Sequence, residues 1–113
     1  MNQNVPEEKA GYSKPQNLAG LVNYAEGAVV SRTLAKNNAG TITLFSFAKG
    51  QGLSEHSTPF DAFVEILDGK TDITIGGKKS TVSAGEFLIM PANIPHALQS
   101  VTDFKMLLVM LKG

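Results

Sequence analysis

Two histidines, His56 and His96, are the only imidazoles in the 113-residue chain, and no cysteine accompanies them. Imidazole titrates near neutrality and is the commonest protein ligand for metal ions. The pair therefore offers metal ligation, proton transfer or hydrogen bonding to a bound molecule. The missing cysteines remove disulfides, thiolate nucleophiles and cysteine-based zinc or iron–sulfur sites. Either histidine alone would be an ordinary surface or hydrogen-bonded core residue. Two neutral imidazoles are also a weak chelate until water, a threonine oxygen or a substrate completes the coordination shell. What the pair can do thus turns on the elements that position it.

Those elements are short strands. The apolar and β-branched stretches 28–34, 41–47, 62–67, 71–75, 86–90, 96–100 and 104–111 are separated by turn residues: Asn37-Asn38-Ala39-Gly40, Lys49-Gly50-Gln51-Gly52, Asp68-Gly69, Gly76-Gly77 and the run Pro91 to Pro95. Asp68-Gly69 is a strong two-residue hairpin signal, because that turn needs positive φ. No window sustains a helical period, so the fold class is all-β, a sandwich or barrel. Residues 1–18 are polar and carry Pro6 and Pro15. They form an N-terminal arm ahead of one domain at 19–113. Both histidines fall at strand starts, where inward positions of a small barrel converge on one cavity.

Ten basic and ten acidic residues cancel without a long run of either sign, so no nucleic-acid partner is expected. The longest C-terminal apolar run, Met106 to Leu111, is far short of the ~20 residues of a membrane span, so no membrane partner is expected either. The first residues lack a basic flank and an apolar core, so no secretory leader is expected and a cytoplasmic location fits. Phe104 to Leu111 is apolar on both faces, and a barrel interior covers only one. The other face calls for further chain or a partner, and a homodimer with the C-terminal strand or the arm near its interface is expected. Met90, Met106 and Met110 fit as gap-filling core residues. Lys78-Lys79 fits a solvated hairpin tip. Along strand 62–67, Ala62, Val64 and Ile66 share the apolar, inward face. Asp61 and Glu65 therefore point outward and do not form an acid–base pair in the cavity.

The order of glycines and histidines resembles the cupins. Their first motif, G-x5-H-x-H-x3-E-x6-G, is met without a gap by Gly50, His56 and Gly69. Their second, G-x5-P-x-G-x2-H-x3-N, is met by Gly85, Pro91 and His96, with Asn93 in place of the middle glycine and Ser100 in place of the asparagine. The resemblance implies a small double-stranded β-helix, or jelly-roll barrel, of two antiparallel sheets. It also implies a pocket that in the family usually holds a divalent metal on three histidines and a glutamate. Here Thr58 stands at the second histidine position and Ala62 at the glutamate position, so only His56 and His96 remain as metal ligands.

The resemblance thus implies a pocket lined by His56, Thr58, Ala62 and His96 that takes a small molecule. One divalent ion of zinc, nickel, iron or manganese is held through the two histidines, or the pocket is metal-free and the histidines hydrogen-bond a ligand or each other. If the protein is an enzyme, the family allows dioxygenase, isomerase, lyase or decarboxylase chemistry, with the histidines as ligands or as a general acid–base pair and Thr58 as a supporting hydroxyl. The alternatives are a binding or sensor module that has lost the metal, and a structural dimer whose pocket is filled by side chains. In the pocket readings the imidazole nitrogens lie within roughly 3–5 Å of each other, the span of two ~2.1 Å metal bonds or one bridging water.

Overall fold

In a computed structural model, residues 11–112 are described. Residues 1–10 of the arm, Val5 among them, and Gly113 lie outside the described residues. Nine strands follow two short 3-10 turns at Gly11–Ser13 and Ala19–Leu21: β1 (Val29–Asn37), β2 (Gly40–Phe47), β3 (Gly52–His56), β4 (Asp61–Asp68), β5 (Lys70–Ile75), β6 (Lys78–Ser83), β7 (Phe87–Met90), β8 (His96–Ser100) and β9 (Phe104–Leu111). Every ladder is antiparallel. The strands form a five-stranded sheet ordered β1-β2-β9-β4-β7 and a four-stranded sheet ordered β3-β8-β5-β6.

The all-β, two-sheet architecture is the one the strand pattern predicts, and seven strands match stretches legible in the sequence. The other two, β3 and β6, lie at the edges of the four-stranded sheet. An edge strand buries few side chains, and these two carry mostly polar ones, so neither shows apolar alternation. Lys78 and Lys79 are exposed, as a hairpin tip requires, and begin β6.

One turn differs from expectation. Asp68-Gly69 does not close a hairpin: β4 belongs to the five-stranded sheet and β5 to the four-stranded one. The positive φ of Gly69, 70°, turns the chain from one sheet to the other. Gly76-Gly77 does close a hairpin, pairing Ile75 with Lys78.

The inward faces meet in one core. Val64, Ile66, Ile73, Phe47 and Phe104 are fully buried, and the last two rings stack with centroids 4.5 Å apart. Ala62, Val64 and Ile66 face inward as their alternation requires. On the outer face of the five-stranded sheet, residues 11–24 cross the β1-β2-β9 end. Arg32 donates to the Tyr12 hydroxyl and to the Leu21 carbonyl, Ser46 Oγ to the Asn23 carbonyl, and Lys105 Nζ to the Ala19 carbonyl. Tyr24 donates to the Asp68 carboxylate; burial first, and that bond second, push its phenol well above the usual range. Leu44, an outward residue, is sealed at this end. The rest of the outer face keeps Ile42, Phe87, Ile89 and Leu111 exposed.

The Gly69 corner is a test of this topology. A Cβ at Gly69 would overlap the Asp103 carbonyl oxygen, in a backbone conformation that L side chains rarely adopt. Gly77 shares positive φ, but a Cβ there meets nothing within 4 Å. Gly69→Ala is expected to cost roughly 2 kcal/mol or more, and Gly77→Ala only the ~1–2 kcal/mol of left-handed strain. Urea denaturation of both variants beside the wild type checks the order.

Candidate functional site

His56 closes β3 and His96 opens β8, and the two residues are cross-strand partners. Their neighbourhood is fixed by the backbone of both motif loops. Asn93 holds φ at 67°, a left-handed conformation that asparagine tolerates better than most residues, which explains its standing where the cupin motif has glycine. Its N–H donates to the Thr58 carbonyl at 2.7 Å, tying the loop before His96 to the loop after His56. Ala92 N–H donates to Asp61 Oδ1 at 2.8 Å, which gives this exposed, outward carboxylate a structural role. At the far end of β8, Ser100 Oγ accepts from the Gly50 N–H at 2.7 Å, so the serine still joins the two motifs.

The two Nε2 atoms lie 3.2 Å apart, with ring planes at 70° and centroids 4.4 Å apart. His96 is buried, 4% exposed, while His56 is exposed at the mouth. Each ring turns its other nitrogen to a backbone carbonyl: His56 Nδ1 lies 2.8 Å from the Ser54 oxygen, and His96 Nδ1 lies 3.3 Å from the Ile94 oxygen. These are three contacts in a row, each needing one proton, strung along two rings that carry two protons when neutral. The shortest contact, at Ser54, takes one of them. That assignment makes His56 Nε2 the acceptor and His96 Nε2–H the donor of the 3.2 Å contact. The deficit falls on the long Ile94 contact. A third proton is resisted, because burial first, and the neighbouring His56 second, hold the His96 imidazolium below its usual range against the favourable Ile94 carbonyl.

His56, Thr58, Ala62 and His96 line one cavity between the sheets. About 50 Å³ of it is open to the centres of water-sized molecules, room for a handful of waters or a group of a few heavy atoms. Thr58 Oγ1 donates to the Phe60 carbonyl at 3.1 Å, so its proton is engaged in the local turn. The remaining walls are apolar: Leu53, Leu98 and Leu108, and the thioethers of Met90, Met106 and Met110. By sequence pattern alone these methionines fit only as core filler. The signal that places them in the cavity is strand register, since Ala62 pairs with Met90 on one side and Met110 on the other.

Among the described residues no third histidine, cysteine or carboxylate joins the two imidazoles. Two nitrogens 3.2 Å apart nonetheless suit one ion, because bonds of ~2.1 Å closing on that separation subtend about 100°. Both Nδ1 atoms also face carbonyls, the outer contact that fixes a ligating imidazole. The site fits a metal held by two protein nitrogens, with open positions for other donors.

A two-sheet barrel with paired histidines at the mouth of its inner cavity is the class that fold and site define. The chain belongs to the cupin family: the model described as "Cupin domain" matches residues 43–111. Its fold is shared by a conserved Streptococcus pyogenes protein of unknown function, at 42% identity and TM-score 0.86 over 89% of each chain. A cupin 2 conserved barrel domain protein from Leptotrichia buccalis is 43% identical at TM-score 0.83, over 86% of this chain and 47% of that one. A cupin superfamily protein from Desulfitobacterium hafniense is 34% identical at TM-score 0.84, over 98% of this chain and 97% of that one. No curated protein matches the sequence.

The lowered His96 value sets a pH dependence. The unfolded chain takes up a proton near pH 6.5 that the folded state refuses. Stability is therefore fully present above ~6.5 and falls as pH drops below it, with a slope of at most about 1.4 kcal/mol per pH unit for one proton. Thermal unfolding between pH 7.5 and 5 is expected to show this decline, and His96→Gln to flatten it.

Proposed function

We propose that this cupin is a small-molecule-binding protein whose barrel cavity is organised by His56 and His96, and that the pair holds one metal ion. The observation that carries the reading is the row of three contacts, Ser54 O to His56 Nδ1, Nε2 to Nε2, and His96 Nδ1 to Ile94 O, for which two neutral rings have only two protons. With an ion between the two Nε2 atoms, the His96 proton moves to Nδ1, and both Nδ1–H groups donate, to Ser54 and Ile94, so all three contacts are satisfied. A bound ion supplies Lewis acidity at its open positions. The chain's residues contribute orientation and exclusion: the carbonyls fix the rings, and the leucine and methionine walls keep bulk water from all but the mouth. The cavity's size and apolar lining fit a compact ligand with one polar group at the histidines and an apolar remainder.

A second reading is favoured by the 3.2 Å contact itself, which is already a hydrogen bond between neutral rings. In that reading the cavity is metal-free and the histidines bind a ligand group directly, as in a sensor module. Calorimetric titration with metal ions at pH 7.5 decides between them. Stoichiometric uptake that is lost in the His56→Ala, His96→Ala double variant supports the metal reading; no uptake by the wild type supports the other. Because each ligand must be neutral, affinity is expected to fall at least tenfold between pH 7.5 and pH 5.5.

We further propose a homodimer through the exposed outer face of the five-stranded sheet. Ile42, Val109, Phe63 and Ile89 are register partners in one row across four strands. Phe87, 62% exposed, stacks on Phe63 with centroids 5.2 Å apart. Such a continuous apolar row is what a self-complementary two-fold patch offers, and a net charge of zero gives two copies no mutual repulsion. Sedimentation at micromolar concentration is expected to give twice the 12.0 kDa chain mass, and Phe87→Lys to shift it towards the monomer. A concentration-independent monomer mass contradicts the proposal.

A further inference from the structure

The donor set around the histidine pair is uncharged and soft. Ala62 is the smallest inward side chain of its row, and its cross-strand partners are Met90 on β7 and Met110 on β9. Partners in adjacent strands have Cβ atoms ~5 Å apart. The space over Ala62 therefore lies between two methionines, and Ala62, both methionines and both imidazoles line the same small cavity. Met90 is 4% exposed and Met110 half-buried. No carboxylate lines the cavity.

We infer that the site is built for a cuprous ion, held by His56, His96 and the thioethers of Met90 and Met110. The inference deepens the metal reading above and rests on it, naming the class of ion. Three physical arguments favour a soft monovalent ion over the divalent ion the family resemblance implies. First, thioethers are soft donors that select Cu(I), whereas Mn(II), Fe(II) and Zn(II) draw more from oxygen and charged ligands. Second, desolvation cost grows with the square of the charge, so a dication costs about four times as much as a monocation in a cavity without a carboxylate to offset it. Third, the nitrogen separation of 3.2 Å enforces a bent N–metal–N arrangement. Two-coordinate Cu(I) prefers a linear one, so the ion needs further donors, and the soft ones lining the cavity are thioethers, beside the hard Thr58 hydroxyl. Binding moves the His96 proton from Nε2 to Nδ1, so both imidazoles stay neutral; no proton leaves a thioether, and copper stays Cu(I) throughout.

The test is anaerobic titration of the full chain with Cu(I) against a chromophoric Cu(I) chelator, with X-ray absorption at the copper edge and parallel titrations with Zn(II). One ion per chain is expected, with nitrogen and sulfur neighbours in the wild type. Met90→Leu, Met110→Leu keeps the cavity apolar and of similar volume. It is expected to lose the sulfur shell and at least tenfold of the Cu(I) affinity, a larger factor than its loss of Zn(II) affinity. A wild-type copper shell of nitrogen and oxygen alone, or equal Cu(I) affinity in the leucine variant, overturns the inference. Cu(I) uptake that survives in the His56→Ala, His96→Ala variant overturns the underlying histidine-pair reading instead.

Discussion

The account depends on one contact: two imidazole nitrogens 3.2 Å apart on residues that are cross-strand partners. Each ring has its second nitrogen against a backbone carbonyl two residues before it in sequence, which orients it. That arrangement asks for three positive centres and the neutral pair supplies two. The fold otherwise satisfies its buried groups: among the described residues no buried side-chain polar atom lacks a partner. The shortfall is confined to this site, where an unmet interaction is most useful for binding something else.

The rest of the structure maintains that contact. The Asn93 N–H reaches the Thr58 carbonyl and the Gly50 N–H reaches Ser100, so the two loops carrying the motifs are tied at both ends of β8. The Phe47–Phe104 stack and the fully buried Val64, Ile66 and Ile73 hold the two sheets together. Residues 11–24 seal one end of the outer face through backbone carbonyls that accept from Arg32, Ser46 and Lys105. What remains open is the mouth at His56 on one side and an apolar outer row on the other. The barrel thus separates a binding cavity from a surface suited to a second copy.

Much of this was legible in the sequence, for identifiable reasons. Strands that bury one face advertise themselves by alternation, so β4 and its inward Ala62, Val64 and Ile66 could be read directly. The edge strands β3 and β6 could not, because their side chains are mostly solvated and their pairing comes from neighbours distant in sequence. Asp68-Gly69 showed its positive φ but not its destination, since a local turn signal does not say which sheet the next strand joins. The two histidines could be brought to one cavity by motif spacing. Their mutual orientation, and the thioethers beside Ala62, depend on three-strand register that no single stretch encodes.

The central claim is the proton count at the pair, and long-range proton–nitrogen NMR of the imidazoles reads it directly. In cation-free protein at pH 8, His56 is expected as the Nδ1–H tautomer and His96 as the Nε2–H tautomer. On adding Cu(I), which is diamagnetic, His96 is expected to change to Nδ1–H while His56 keeps its tautomer. Two rings with the same tautomer before addition, or a His96 that stays Nε2–H after a stoichiometric ion has bound, would contradict the account.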